Sequence, residues 1–376
     1  MFKKSLAALA VLSLTAGYAS AASVTLYGSV DEGLMYSHEK VKTNGTSETS
    51  HSFTLDSGIS TASKFGLKGS EELGNGMTVS FKLENGLNAD DGSFSDDDGR
   101  LFNRQASLTL SGDFGALSFG RMGGLASAAG DYDIVYAIGD SYDGGDVAFG
   151  LAASDRYDNM VTYQTPSFAG LQATFQYSFN VNTQDKDTKG VRENSSGVDR
   201  YAAAALTGEF GALQTVVAYE FQNYHSIGNG AKNKDGHTVY VGANYDFEVV
   251  RVFAMGEYFK GLSDVPFASG EDYFDDAFGG VDGDGVKGYG LHLGTLAPVA
   301  GGDFTAGLYY ADTTAELTTG DVDGKYYGVN FKYEYPLSKR TSVYAGTGYS
   351  KAKHETDAKT YKVDNYAGYF GLTHNF

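Results

Sequence analysis

Apolar and polar side chains alternate along almost every segment of this 376-residue chain. In MTVSFKLE (residues 77–84), methionine, valine, phenylalanine and leucine are separated by threonine, serine, lysine and glutamate. The same alternation occurs in SVTLYGSVD, YYGVNFKYEY and TSVYAGTGYS. A period of two gives a β-strand one apolar and one polar face, and no helical period persists beyond the N-terminal residues. The sequence therefore predicts an all-β fold.

The connections between the predicted strands are alternately short and long. The short ones, such as SGDFGA, TGEFGA and YPLSKR, are tight reversals with Gly, Asp or Pro. Eight long loops are expected at 37–52, 88–101, 122–155, 181–198, 225–235, 261–285, 312–323 and 352–363. They separate sixteen strands of about ten residues, each long enough for a tilted membrane crossing. An even strand number with segregated loop lengths favours an antiparallel transmembrane β-barrel over a soluble sandwich.

The N-terminal residues have the pattern of a secretory signal. The basic start MFKK is followed by an apolar run over 5–16 and by the small residues YASA. The run is too short for a membrane-spanning helix, which needs about 20 apolar residues. We expect a signal peptide at 1–21 and a barrel domain at 22–376. The chain has no Cys and a net charge of −19, so the sequence predicts no disulfide framework and no nucleic-acid partner.

The C-terminal stretch NYAGYFGLTHNF also alternates, and it places an aromatic residue at position 376. A sheet in lipid cannot leave an edge of unpaired N–H and C=O groups, because no water is present to satisfy them. The last strand is therefore expected to pair with the first, VTLYGSV. Phe376 would then lie at an aromatic girdle of the membrane interface.

Several stretches resemble the general trimeric porins of Gram-negative bacteria, especially the subfamily of beta-proteobacteria and Neisseria. They are SVTLYGSVDEG, SKFGLKGSEELGNGMTVSFKLENG, NRQASLTLSGDFGALSFGR, RYDNMVTYQTPSFAG and GLTHNF, in the order of the family. The resemblance implies a sixteen-stranded barrel, a homotrimer and passive diffusion of small hydrophilic solutes and ions across the outer membrane. It also implies contact with outer-membrane lipid and lipopolysaccharide, and recognition of Phe376 by the outer-membrane assembly machinery.

The resemblance further implies that the third loop, 122–155, folds inward and narrows the channel between acidic and basic side chains. The basic positions of the family fall on Lys64, Arg104 and Arg156. Lys68 shares the polar face of Lys64. The acidic candidates on the loop are Asp140, Asp143, Asp146, Asp131 and Asp133. Opposite charges across a narrow neck orient polar solutes and set ion selectivity.

Strand alternation agrees with two of these basic assignments and conflicts with one. Lys64 and Arg156 lie on polar faces, whereas Arg104 shares parity with Leu108 and Leu110, which are expected to face lipid. A β-bulge that shifts the register would resolve this conflict, and so would leucines that face the lumen near the turn.

No other chemistry is supported by a motif. The aspartates at 96–98, 282 and 284 lack the later glutamate of a calcium loop, and the seven His have no zinc spacing. No catalytic constellation, metal site or cofactor is predicted, so the chain is not expected to be an enzyme. Two alternatives to a general diffusion porin stay open: a channel selective for carboxylates or sugars, and a barrel that acts mainly as a surface adhesin.

Overall fold

A computed structural model describes residues 24–95, 99–142, 154–185, 188, 190–225, 234–263, 285–315, 320–356 and 358–376. The predicted signal peptide lies outside these residues. The described part contains one short helix, α1 (Val135–Gly139), and no helix that is long and apolar enough to span a membrane.

Seventeen strands of the described residues form one antiparallel sheet. They are β1 Thr25–Thr43, β2 Thr46–Ser57, β3 Lys64–Gly74, β4 Met77–Gly86, β5 Gln105–Gly112, β6 Gly115–Gly123, β7 Arg156–Gln164, β8 Leu171–Ser178, β9 Arg200–Phe210, β10 Leu213–Asn223, β11 Gly236–Asp246, β12 Arg251–Leu262, β13 Val286–Val299, β14 Gly302–Ala315, β15 Val322–Pro336, β16 Thr341–Glu355 and β17 Thr360–Asn375. β2 and β3 occupy successive parts of one position beside β1. The sheet therefore has sixteen strand positions, as the sequence predicts.

The first and last strands close the sheet into a barrel. β1 pairs with β17 in an unbroken register from Ser29 opposite Asn375 to Thr43 opposite Tyr361. The amide of Gly28 donates to the carbonyl of Phe376 (3.2 Å), and the amide of Phe376 donates to the carbonyl of Gly28 (3.0 Å). The predicted closure is confirmed, and it satisfies the backbone groups that an open edge would leave unpaired.

The outward face of the barrel is apolar. On β10, Val217 and Tyr219 are exposed, whereas Val216, Ala218 and Glu220 between and beside them are buried. Exposed aromatic residues occur at the end with the short turns, at Phe114, Phe168, Phe210, Phe247, Tyr335 and Phe376. A second row lies toward the other end, at Tyr258, Tyr289, Tyr327, Tyr349 and Tyr366. Tyr366 and Phe376 are ten residues apart, and ten residues of a tilted strand span about 25 Å of bilayer. The two rows of aromatic residues therefore have the spacing of the two membrane interfaces.

The expected loop at 37–52 is instead a β-hairpin. β1 and β2 pair from Glu32 opposite Ser57 to Thr43 opposite Thr46, with a turn at Asn44 and Gly45. Two other expected loops, 312–323 and 352–363, also consist partly of extended hairpin strands. Polar residues dominate these stretches, and polar composition is typical of loops, so composition alone does not distinguish a solvent-exposed hairpin from a loop.

Residues 122–142 pack against the buried face of β9–β14. α1 contacts β10, β11 and β12, and Met122, Val135 and Tyr136 are fully buried. The Asn244 side-chain amide donates to the carbonyl of Ile138 (2.9 Å), and the Leu125 amide donates to the Tyr201 hydroxyl (3.2 Å). This face lies opposite the exposed apolar face.

Candidate functional site

A cavity of about 740 Å³ lies against the polar faces of β3, β4, β7, β15 and β17. Residues 58–62 and parts of the 122–142 segment complete its boundary. The charged side chains that line it are Lys64, Lys82, Glu84, Arg104, Asp133, Arg156, Lys332 and Glu334. The cavity thus brings together five cationic and three carboxylate side chains of the described residues, in a chain whose total charge is negative.

Three of the four predicted basic residues line this cavity: Lys64, Arg104 and Arg156. Lys68 does not. It lines an adjacent cavity of about 380 Å³, where its ammonium group lies 5.0 Å from the centre of the Tyr27 ring. Alternation along β3 explains the arrangement, since residues 64 and 68 share one face but lie four residues apart along the strand.

Arg104 reaches the cavity although its parity predicts the opposite face. It precedes β5, which begins at Gln105, and its Nε donates to Glu84 Oε1 (2.9 Å). The β4–β5 ladder runs without a register shift, and Leu108 is exposed on the outer face. Neither the β-bulge nor the inward-facing leucines proposed above are therefore needed. Arg104 lies just before the paired part of β5, where alternation along the sequence does not determine the direction of a side chain.

The cations of the cavity differ in their partners. Lys82 pairs with Asp131 (2.7 Å), and Arg104 pairs with Glu84 (2.9 Å). Within the described part of the chain, the side chains of Lys64 and Arg156 form no ion pair. Free cationic groups are available to hydrogen-bond a passing anion, whereas paired ones already hold an acceptor.

The three acidic candidates that the structure describes, Asp131, Asp133 and Asp140, occupy different environments. Asp133 lines the cavity, and Asp131 binds Lys82 and the Gln105 side-chain amide (2.8 Å) at the wall. Asp143 and Asp146 lie outside the described residues.

Asp140, in contrast to the prediction, is buried away from the cavity. Its Oδ1 accepts from the Tyr309 hydroxyl (3.0 Å) and lies 3.3 Å from His292 Nε2, and both side chains of the Asp140–His292 pair are inaccessible. This carboxylate fixes the end of α1 to β14, and the amide of the next residue, Ser141, fixes it to β13 by donating to His292 Nε2 (3.2 Å). The other oxygen, Oδ2, is buried and has no hydrogen-bond partner among the described residues, so the protein satisfies only one oxygen of this carboxylate.

Sequence reasoning did not select four charged residues that the structure places in the cavity: Lys82, Glu84, Lys332 and Glu334. Alternation along the strands does contain a signal for them, because each lies on the polar face of its strand. Glu84 is the most connected of them, since it accepts from Arg104 and from the Tyr27 hydroxyl (2.9 Å). It introduces negative charge into a wall that was expected to be basic.

A third cavity, of about 550 Å³, is lined by Arg104 and Arg156, which also line the largest of the three. Asp158 organises its wall by accepting from Arg121 (2.7 Å), Arg100 (3.0 Å) and the Thr183 hydroxyl (2.7 Å). Fixed networks of this kind hold guanidinium groups in one orientation.

No cluster of three or more metal-ligating side chains occurs among the described residues. The aspartates at 96–98, 282 and 284, which lack the later glutamate of a calcium loop, lie outside the described residues.

A closed antiparallel barrel with an apolar belt outside and a charge-lined cavity inside is the architecture of outer-membrane β-barrels. The chain belongs to the Gram-negative porin family, whose model matches residues 8–355.

Similar proteins support this assignment over nearly the whole chain. An outer membrane porin protein of Bordetella pertussis is 34% identical and covers 93% of this chain and 94% of its own length. Outer membrane porin protein 32 of Delftia acidovorans is 30% identical, with 97% and 94% covered. Among solved structures, an anion-selective porin from Comamonas acidovorans has a TM-score of 0.65 at 24% identity, covering 95% of this chain and 100% of that chain.

Proposed function

We propose that this protein is a general diffusion porin of the outer membrane, a water-filled channel for small hydrophilic solutes and ions. The observation that carries the proposal is the charged cavity inside a closed barrel whose exterior is apolar. Side chains such as Lys64 and Arg156 require water or polar solutes around them, whereas the outer face requires lipid.

The 122–155 loop acts as the constriction element of this channel. Its described residues bind the inner face of β9–β14 and contribute Asp133 and Tyr142 to the cavity boundary. Loop residues that occupy part of the interior leave a narrower path beside the charged wall. Solutes in this path lie close to Lys64, Arg104 and Arg156.

The narrow part of the channel beside Lys64, Arg104 and Arg156, called the neck below, favours anions. Five cations face three carboxylates among the described residues of the cavity, so the local charge is positive although the whole chain is acidic. Charges at a constriction act at short range, whereas external carboxylates are screened within about 10 Å at 0.1 M salt. The Comamonas acidovorans structure is named as an anion-selective porin.

The cellular setting follows from the family. The protein is placed in the outer membrane after removal of a signal peptide at 1–21, with Phe376 as a signal for the assembly machinery. A homotrimer embedded in lipid and lipopolysaccharide is proposed from the relatives, and one similar structure, OmpT of Vibrio cholerae, is described as a trimer.

Conductance in planar bilayers tests the proposal. The purified protein, shown to be folded by its heat-dependent mobility on a gel, should give large stepwise conductances, usually in units of three. A salt gradient should give a reversal potential of the sign expected for anions. A folded barrel without conductance would reject the channel function, and cation preference would reject the role assigned to the neck.

A further inference from the structure

The chain leaves the sheet between β2 and β3. The β1–β2 register ends at Glu32 opposite Ser57, and the β1–β3 register resumes at Ser29 opposite Lys64. Six residues, 58–63, therefore lie opposite only two residues of β1. They cannot all pair with β1, so this segment, called the excursion below, leaves the sheet. Gly58 begins this excursion with φ of +78°, a conformation that favours glycine.

The excursion lies on the inner face of the barrel. A Cβ at Gly33 would lie 2.7 Å from Ile59 Cδ1, so Ile59 packs over the inner side of β1 at this position. The same Cβ would lie 2.8 Å from the backbone carbonyl oxygen of Phe370, which cannot move aside as easily. Lys332 Nζ, on the inner face of β15, donates to Ser60 Oγ (3.2 Å). Residues 58–62 line the charged cavity.

Asp31 fixes the excursion to the barrel. Its side chain is fully buried and accepts from the Ser60 amide (3.2 Å), the Tyr344 hydroxyl (2.7 Å) and the Thr373 hydroxyl. Its backbone carbonyl accepts from the Gly58 amide (2.9 Å). One residue of β1 thus joins the excursion to β16 and β17, and such a satisfied buried network restrains the segment.

Lys332 connects this excursion with the other inward segment. Its ammonium group binds Ser60 and also lies 5.9 Å from the centre of the Tyr142 ring, which belongs to the 122–142 segment. The two segments therefore reach the same side chain from different parts of the cavity boundary.

We propose that residues 58–62 form a second constriction element, which narrows the channel from the β1 side, and that Asp31 is its positioning residue. The inference rests on the proposed channel function. Solutes pass between this element and the 122–155 loop, so Ile59 and Ser60 contribute to the size and charge selection of the neck.

The absence of cysteine from the sequence permits a direct test. In Ser60→Cys, reaction with a charged thiosulfonate reagent should reduce the single-channel conductance, and a thiol reductant should restore it. An anionic adduct should shift the reversal potential toward cation preference, and a cationic adduct should shift it the other way. Ser50→Cys, on the exposed part of β2, should react fully without changing either quantity.

A conducting Ser60→Cys channel that reacts without a change in conductance or reversal potential would overturn the inference. Failure to react under conditions that label Ser50→Cys would also overturn it, because Ser60 would not be accessible from the channel. Neither outcome affects the proposed function, which fails only if the folded parent barrel does not conduct.

The positioning role of Asp31 requires a different measurement. Tyr344→Phe removes one hydroxyl donor to Asp31 but keeps the aromatic ring. In the Ser60→Cys background it should increase the reaction rate of the thiol and the noise of the open channel, with unchanged mobility of the folded barrel. An unchanged reaction rate would show that Asp31 and Tyr344 do not restrain the segment.

Discussion

The inner face of the barrel is used in two ways. On the covered wall, defined as the inner face of β9–β14, residues such as Glu220 and Tyr309 bind the 122–142 segment or its continuation and are buried. On the open wall, defined as the inner face of β3 and β4 together with Arg156 at the start of β7, residues such as Lys64 and Arg156 face the cavity.

The same strand alternation produces both walls, and the difference lies in what reaches them. Polar groups on the covered wall depend on particular loop atoms, because a buried donor or acceptor without a partner is costly. Polar groups on the open wall can be solvated. Substitutions on the covered wall should therefore reduce stability, and substitutions on the open wall should mainly change ion selectivity.

The largest effect is expected at Glu220 on the covered wall. Its carboxylate accepts from the Ala126 amide (3.1 Å), the Ser154 hydroxyl (3.0 Å) and the Tyr201 hydroxyl (2.6 Å), and its other oxygen accepts from Tyr240. Glu220→Ala should reduce the free energy of unfolding by at least about 3 kcal/mol, because several buried donors lose their acceptor together. Denaturant unfolding in detergent, followed by tyrosine fluorescence, measures this loss.

Glu220→Gln is the matched control, since it keeps one acceptor oxygen and nearly the same volume. It should lose about 1 kcal/mol or less. An alanine variant as stable as the parent would remove Glu220 from the attachment of the loop.

On the open wall, neutralising Lys64 and Arg156 together should change selectivity with little change in stability. Lys64→Gln with Arg156→Gln removes two cations that have no ion-pair partner among the described residues. The reversal potential in a salt gradient should shift toward cations. Lys339→Gln with Arg340→Gln makes the same charge change at an exposed turn, and its shift should be at least about twofold smaller because of screening. Equal shifts would show that the cavity cations do not act at a neck.

The sequence predicts the barrel well because its determinants are local or general. Alternation depends on neighbouring residues, and closure follows from the absence of water in lipid. The β1–β17 pairing could therefore be predicted from the terminal stretches alone. Alternation along the strands also indicates Lys64 and Arg156, and it places Lys332 on a polar face in the same way.

The arrangement of the loop could not be predicted in this way. Asp140 accepts from Tyr309, and its neighbour Ser141 donates to His292, both more than 150 residues later in the chain, so no local pattern indicates the burial of Asp140. Arg104 shows a different limit, because strand parity does not apply to a residue just before its ladder. The excursion at 58–63 depends on a register between three strands that alternation does not specify.

The smallest effect is expected where the loop meets the open wall, at Asp131. Its carboxylate pairs with Lys82 (2.7 Å) and accepts from Gln105 (2.8 Å), but about half of its side chain is exposed. An exposed ion pair contributes about 0–1 kcal/mol, and an asparagine can keep the hydrogen bond from Gln105. Asp131→Asn should therefore lower the free energy of unfolding by less than about 1 kcal/mol. A loss as large as that of Glu220→Ala would mean that the loop is held equally by both walls, and the distinction between them would no longer apply.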